Sequence, residues 1–263
     1  MRVSISRLKT FKSCRREYQL RYKENLVPVQ TADALQTGAN YHKLIENYYA
    51  GEFAEEPTKE CAMAKAYIKY IAPKFEMAKT EEWVKFAYPN GNEIIGRVDG
   101  VAKDGCIVEH KTTSGTTNFE EYEYNLAWDE QILAYMLCTG ARKIYYTVIK
   151  KPTIRLKKDE TEDEFYQRMC EWYDDDTDNK VRFMEITRTD AEVEQFKADL
   201  EMVMLEVDHC EAVGAYYKNT NYCNHWGRMC EYAPICLHYD PNETYVDFEK
   251  REEQVYGTEN SEF

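Results

Sequence analysis

Apolar residues recur at intervals of three and four over residues 5–22, 31–50 and 57–78, and that spacing predicts a helix in each stretch. From about residue 82 the period changes. A strand over 82–88, a turn at Pro89-Asn90-Gly91-Asn92 and a strand over 93–102 are expected, and Lys103-Asp104-Gly105 then closes a tight hairpin into a third strand. These strands make the antiparallel part of the expected sheet. After a loop rich in Thr and Ser, the pattern gives a helix over 120–138, stopped at Gly140, and a strand over 143–150. Acidic helices over 160–174 and 189–214 flank a strand over 181–187. No internal repeat or low-complexity linker interrupts this α/β pattern.

The hairpin carries the most informative chemistry. Asp99 and Glu109 lie five residues either side of Asp104, so a tight turn there sets them opposite one another. Lys111 shares the face of Glu109 because strand side chains alternate with period two. Like charges facing each other destabilise a sheet unless something positive lies between them, and the pair therefore reads as a socket for a divalent cation. A lysine beside it can hold an anionic substrate or transition state. The alternative is a solvated hairpin face, but Val98, Val101, Ile107 and Val108 mark the segment as buried, where charges need partners.

Gly96-x-Val98-Asp99-Gly100 followed by Ile107-Val108-Glu109-His110-Lys111-Thr112 resembles the core of the PD-(D/E)xK nuclease superfamily, in particular its RecB-like branch. Gly38-Ala39-Asn40-Tyr41-His42 resembles that branch's Gly-x-x-x-His helix, and Gln131-Ile132-Leu133-Ala134-Tyr135 its Gln-x-x-x-Tyr helix. The segment from Ser6 to Tyr18 is similar to the opening helix of the iron-sulfur members, which include the AddB nuclease domain and the CRISPR-associated RecB-like exonucleases. The matches run in family order over residues 4–236. They imply a restriction-endonuclease-like core, a mixed central sheet flanked by helices, and N- and C-terminal segments joined at an iron-sulfur cluster. They also imply Mg2+ or Mn2+ held by Asp99, Glu109, His42 and the backbone carbonyl of His110, whose side chain points to the opposite face. Lys111 would orient the attacking water or stabilise the transition state, and Gln131 and Tyr135 would position the scissile strand.

Nine cysteines form a second constellation. Cys223, Cys230 and Cys236 cluster near the C-terminus, and with Cys14 they resemble the one-plus-three arrangement that holds a 4Fe-4S cluster in the iron-sulfur members. The six residues between Cys223 and Cys230 are more than the family usually has, and Gly227 would let that loop return. Four thiolates also suit Zn2+, with His225 or His238 able to replace one of them. Cys61, Cys106, Cys138, Cys170 and Cys210 lie in apolar or helical stretches and read as packed, unligated residues. The odd count and the absence of an apolar N-terminal signal region point to a reducing, cytoplasmic compartment, that of the host if the chain is phage-encoded.

The chain has 263 residues, 43% of them hydrophobic, enough for one elaborated domain. The expected division is iron-sulfur segments at 1–30 and 215–240, helices and catalytic core at 31–214, and an acidic tail at 241–263. No apolar run reaches the ~20 residues that cross a bilayer. A net charge of −14 opposes nucleic-acid binding, yet residues 1–30 are locally basic, and Arg15 and Arg16 could guide a strand beside Cys14. The 22 tyrosines offer further stacking faces. The sequence thus points to a stand-alone phage or mobile-element DNase, an exonuclease on single strands or DNA ends, with recombination or replication proteins as candidate partners. A weakly catalytic DNA-end-binding adaptor and a zinc-stabilised interaction protein are the alternatives.

Overall fold

In the computed structural model, which describes residues 1–29, 33–225, 227–238, 240 and 245–251, most elements follow the sequence periodicity. In chain order these are β1 (Arg2–Ser4), α1 (Ile5–Ser13), α2 (Arg15–Tyr18), β2 (Leu26–Pro28), α3 (Asp33–Ala50), α4 (Lys59–Tyr70), β3 (Met77–Ala87), β4 (Glu93–Ala102) and β5 (Ile107–Thr113). They continue as α5 (Phe119–Asn125), α6 (Glu130–Thr139), β6 (Lys143–Lys150), α7 (Glu162–Asp174), β7 (Val181–Thr187) and α8 (Asp190–Val213). Last come β8 (Asn224–His225), β9 (Arg228–Met229), α9 (Ala233–Leu237) and β10 (Phe248–Lys250).

Local chemistry explains where the structure corrects the expected boundaries. The helix expected over 5–22 breaks at Cys14, whose extended backbone (φ −157°, ψ 116°) separates α1 from α2. The helix expected over 57–78 stops at Tyr70, because Pro73 cannot continue it, and β3 begins at Met77. The helix expected over 120–138 divides at Asp129, whose side chain accepts from the Gln131 amide (2.9 Å) and starts α6 afresh. Of the acidic tail expected over 241–263, residues 245–251 are described, and there Phe248–Lys250 pairs antiparallel with β2 as β10; the rest lies outside the described residues.

The sequence reading expects one nuclease domain, and the structure divides into two compact units. One comprises residues 32–84 and 97–193. In it β5 lies between β4, its antiparallel neighbour, and β6, its parallel one, while β7 runs antiparallel on the far side of β6. The result is the expected mixed sheet flanked by helices. Residues 107–110 of β5 are all buried, as a strand covered on both faces must be. On one side α3, α4 and α7 supply Tyr41, Ile45, Met63, Tyr67 and Tyr173 to a core that also contains Ile149.

The other unit comprises residues 1–31, 85–96 and 194–263. Here β1 pairs parallel with the first half of β4, Arg2 opposite Glu93 through Ser4 opposite Ile95. Helix α1 buries Ile5, Leu8 and Phe11, and Leu20, Tyr232 and Ile235 form a small core against Phe248 and Leu26.

Strand β5 leaves the sheet through a loop tied to the end of β6, where the Lys151 amide donates to the Thr113 carbonyl (2.9 Å). Gly115 makes that closeness possible, since a Cβ there would lie 2.5 Å from the Lys151 carbonyl oxygen and 2.3 Å from the Thr153 methyl. Gly115→Ala is therefore expected to lower stability by about 1–3 kcal/mol through overpacking. Thermal unfolding of the variant beside wild type checks this, and an unchanged Tm would contradict it.

Candidate active site and cysteine cluster

Every candidate catalytic side chain belongs to the unit built on β4 to β7. The β4–β5 ladder pairs Gly100 with Val108 and Val101 with Ile107, so Asp99 and Glu109 take the next opposed positions, the register the hairpin reading expects. There the His110 amide donates to Asp99 Oδ2 (2.7 Å). Helix α3 brings His42 to the other oxygen, with Nδ1 3.2 Å from Asp99 Oδ1. Glu109 is 2% exposed; one of its oxygens takes Lys111 Nζ, and the other is buried without a hydrogen-bond partner.

Lys111 continues into a chain of hydrogen bonds. Its Nζ donates to Gln131 Oε1 (2.9 Å), Gln131 Nε2 donates to the Tyr135 hydroxyl (2.7 Å), and that hydroxyl donates to the Arg97 carbonyl (2.9 Å). Gln131 and Tyr135, one turn apart on α6, thus fix the Lys111 ammonium and the backbone of β4. The His110 side chain points away from the carboxylates, as expected from strand alternation. Its Nδ1 meets Thr147 Oγ1 at 2.8 Å, and its ring packs edge-on against Tyr67 with centroids 4.9 Å apart.

Sequence reading missed Glu81. It sits inside β3 with left-handed backbone (φ 57°), a conformation that costs a non-glycine residue about 1–2 kcal/mol. Alternation of exposure along β3 is interrupted at residues 80–82, the signature of a bulge that re-aims a side chain. Ligand atoms of Glu81, His42 and Asp99 all lie within 4.8 Å of one another. The guanidinium of Arg97 closes on the same carboxylate, Nε to Oε2 2.5 Å. Consecutive acids at 81 and 82 in a strand were the available signal, since one of the two must turn toward the opposite face.

The electrostatics follow from burial and pairing. Burial and the nearby charge of Asp99 push Glu109 up to about 8, against the pull of Lys111. Burial also opposes ionisation of Asp99, but the hydrogen bond and charge of His42, with His110, outweigh it and hold that carboxyl below its usual range. Burial disfavours His42 as a cation, and Asp99 and Glu109 more than compensate, raising it. His110, fully enclosed, falls to about 4. Oxygen and nitrogen donors, opposed carboxylates and an orphaned buried oxygen fit a hard divalent cation.

The cysteines gather in the other unit. Cys14, Cys223, Cys230 and Cys236 line one cavity together with Glu17, Asn219 and Tyr232. The long interval between Cys223 and Cys230 is taken up by the β8–β9 hairpin, turned at Gly227 (φ 70°), and the Cys230 amide donates to the Cys223 carbonyl (2.8 Å) at its base. The Asn219 amide donates to Cys14 Sγ (3.4 Å). Burial pushes the Cys230 thiol up to about 11 and raises that of Cys236. His225 and His238 are exposed and do not line the cavity. Of the two basic candidates, Arg15 pairs with Glu206 (2.7 Å) and stacks on Phe11 and Tyr217, whereas Arg16 is 8% exposed and turned inward to Gln19 and Glu24.

Among solved structures, a Eubacterium rectale protein assigned as an exonuclease is 14% identical over 92% of this chain and 90% of its own, with a TM-score of 0.55, a likeness of fold. A phage-related exonuclease from Haemophilus somnus (13% identical, 72% of this chain and 91% of its own, TM-score 0.41) is more distant. So is the alkaline exonuclease of Laribacter hongkongensis (15%, 81% and 93%, TM-score 0.36). No curated protein matches the chain. A family model described as the PD-(D/E)XK nuclease superfamily matches residues 2–237. Since that match runs through β3, β4, β5 and α6 and covers most of the 263 residues, the chain belongs to the PD-(D/E)XK nuclease superfamily.

Proposed function

We propose that this chain is a divalent-metal-dependent deoxyribonuclease of the RecB-like iron-sulfur branch, an exonuclease acting on single strands or DNA ends. The observation that carries the reading is the opposed pair Asp99 and Glu109, one buried Glu109 oxygen unsatisfied, with Lys111 fastened beside it. Asp99, Glu109, His42 and the His110 carbonyl would hold Mg2+ or Mn2+, which when bound supplies Lewis-acid charge neutralisation and makes water a better nucleophile near neutral pH. Lys111, held between Glu109 and Gln131, keeps its ammonium where it can orient the water or offset charge on the transition state. Gln131 and Tyr135 act through Lys111 and the Arg97 backbone, so their influence on the scissile strand is one of positioning. Arg15, on the more accessible side of its helix turn than Arg16, is the better placed of the two to meet a backbone phosphate.

A 4Fe-4S cluster on Cys14, Cys223, Cys230 and Cys236 is the second part of the proposal. What supports this reading is that the four thiols line one cavity, which gives the four-cysteine donor set such a cluster takes. A phage or mobile-element origin, with recombination or replication proteins as partners, belongs to the same proposal.

Anaerobically purified protein incubated with 5′- and 3′-labelled single-stranded and duplex DNA, with Mg2+ or Mn2+, tests the activity. Asp99→Asn and Lys111→Ala should each lose at least about a hundredfold in rate while keeping the wild-type circular dichroism. Cleavage that persists in Asp99→Asn would refute the site; absence of cleavage by wild type would favour the DNA-end-binding adaptor. For the cluster, Cys230→Ser should lose bound iron and sulfide and unfold at lower temperature, whereas Cys138→Ser, outside the cavity, should keep both. Zinc in place of iron in the wild-type protein would sink the cluster assignment.

The pH dependence follows from Glu109. Its proton competes with the metal, and because its pKa is raised to about 8, Mn2+ affinity should climb as pH rises from 6 toward about 8 and flatten above it. Titration calorimetry at stepped pH measures this. An affinity independent of pH over that interval would mean that Glu109 is not a ligand.

A further inference from the structure

We infer that Glu81 is a further ligand of the metal centre, and that Arg97 holds its carboxylate until metal binds and then turns to a phosphate of the DNA backbone. The inference rests on the nuclease reading of the site and adds two residues to it. Three carboxyl groups surround the centre, and each is paired with one basic side chain: Asp99 with His42, Glu109 with Lys111, and Glu81 with Arg97. The first two basic groups belong to the reaction, His42 as a ligand through its neutral ring and Lys111 beside the scissile bond. Arg97 has no such task in the absence of substrate.

Geometry separates the inner from the outer member of the third pair. The Glu81 side chain is 20% exposed and Arg97 47% exposed, so the carboxylate lies toward His42 and Asp99 and the guanidinium toward solvent. The left-handed backbone at Glu81 is what turns that carboxylate inward from an otherwise extended strand. Arg97, two residues before Asp99 on β4, shares its face. Its carbonyl is pinned by the Tyr135 hydroxyl, so the exchange needs only its side chain to move. A divalent ion drawing on Glu81 weakens that carboxylate's hold on Arg97, and a planar guanidinium freed at the edge of the site matches a phosphodiester. Metal loading would in this way prepare the phosphate contact, giving an order of binding in which metal precedes DNA.

The test uses the full chain and the metal alone. Mn2+ binding is followed by electron paramagnetic resonance for wild type, Asp99→Asn, Glu81→Gln and Arg97→Gln, with circular dichroism as a check on folding. Glu81→Gln should weaken Mn2+ binding by about tenfold or more, as loss of a metal-site partner does, whereas Arg97→Gln, which removes the competing cation, should tighten it. Single-stranded oligonucleotide binding by anisotropy, with and without Ca2+, should show a metal-induced gain in wild type that Arg97→Gln loses. If Glu81→Gln and Arg97→Gln both bind Mn2+ like wild type while Asp99→Asn does not, the inference fails and the nuclease site stands. Weakened binding in both variants would make the pair a structural clasp and also overturn it. Undiminished Mn2+ binding by Asp99→Asn would instead refute the underlying reading of the site.

Discussion

Two carboxylates held opposite one another across β4 and β5 set the terms for everything around them. On a surface hairpin such a pair would separate into water, but β5 lies between β4 and β6 and its residues 107–110 are buried, so Glu109 cannot retreat. Burying an ion costs several kcal/mol unless it is paired. The surrounding elements supply the pairing: His42 from α3 on Asp99, Lys111 from β5 itself on Glu109, and Gln131 from α6 on Lys111. The helices flanking this sheet are therefore needed for charge as much as for packing. One Glu109 oxygen still lacks a partner, which is the deficit a cation corrects.

The cysteine unit solves a different problem, that of gathering thiols from distant parts of the sequence. Cys14 gains its place by interrupting a helix, exchanging regular hydrogen bonds for an extended residue whose sulfur accepts from Asn219. The β8–β9 hairpin brings Cys230 back to Cys223 despite the long interval between them. Tyr232, fully buried with its hydroxyl on the Leu26 carbonyl (2.7 Å), anchors the segment carrying Cys230 and Cys236. Burial raises the thiols of Cys230 and Cys236, so both sulfurs keep their protons near neutral pH.

Much of this was legible in the residues. The Asp104-Gly105 turn fixed the register of β4 against β5, and strand alternation correctly sent His110 and Lys111 to opposite faces. Helix lengths were legible less well, because hydrophobic spacing continues past the points where Pro73 and the Asp129 cap end helices. Glu81 was hidden for a sharper reason. The expected strand begins at 82 and leaves Glu81 outside it, whereas β3 runs from Met77, and a single left-handed residue at 81 breaks period two at the site of interest. Nor does sequence show that Arg16 turns inward to Gln19 and Glu24 while Arg15 pairs with Glu206 between Phe11 and Tyr217, since both occupy the same basic run.

The matched pairs also bear on how a chain of net charge −14 can act on an anionic polymer. His42, Lys111 and Arg97 each lean on a carboxyl group of the centre, Asp99, Glu109 and Glu81, which limits their pull on a phosphate. A divalent ion held there would displace protons from its ligands and concentrate positive charge within a low-dielectric wall, where the field is focused rather than screened. The acid elsewhere in the chain repels a polyanion, so that attraction would come from a loaded site and from the locally basic residues 1–30. A surface of general positive charge would bind DNA sooner but less selectively, and would not require the site to be loaded first.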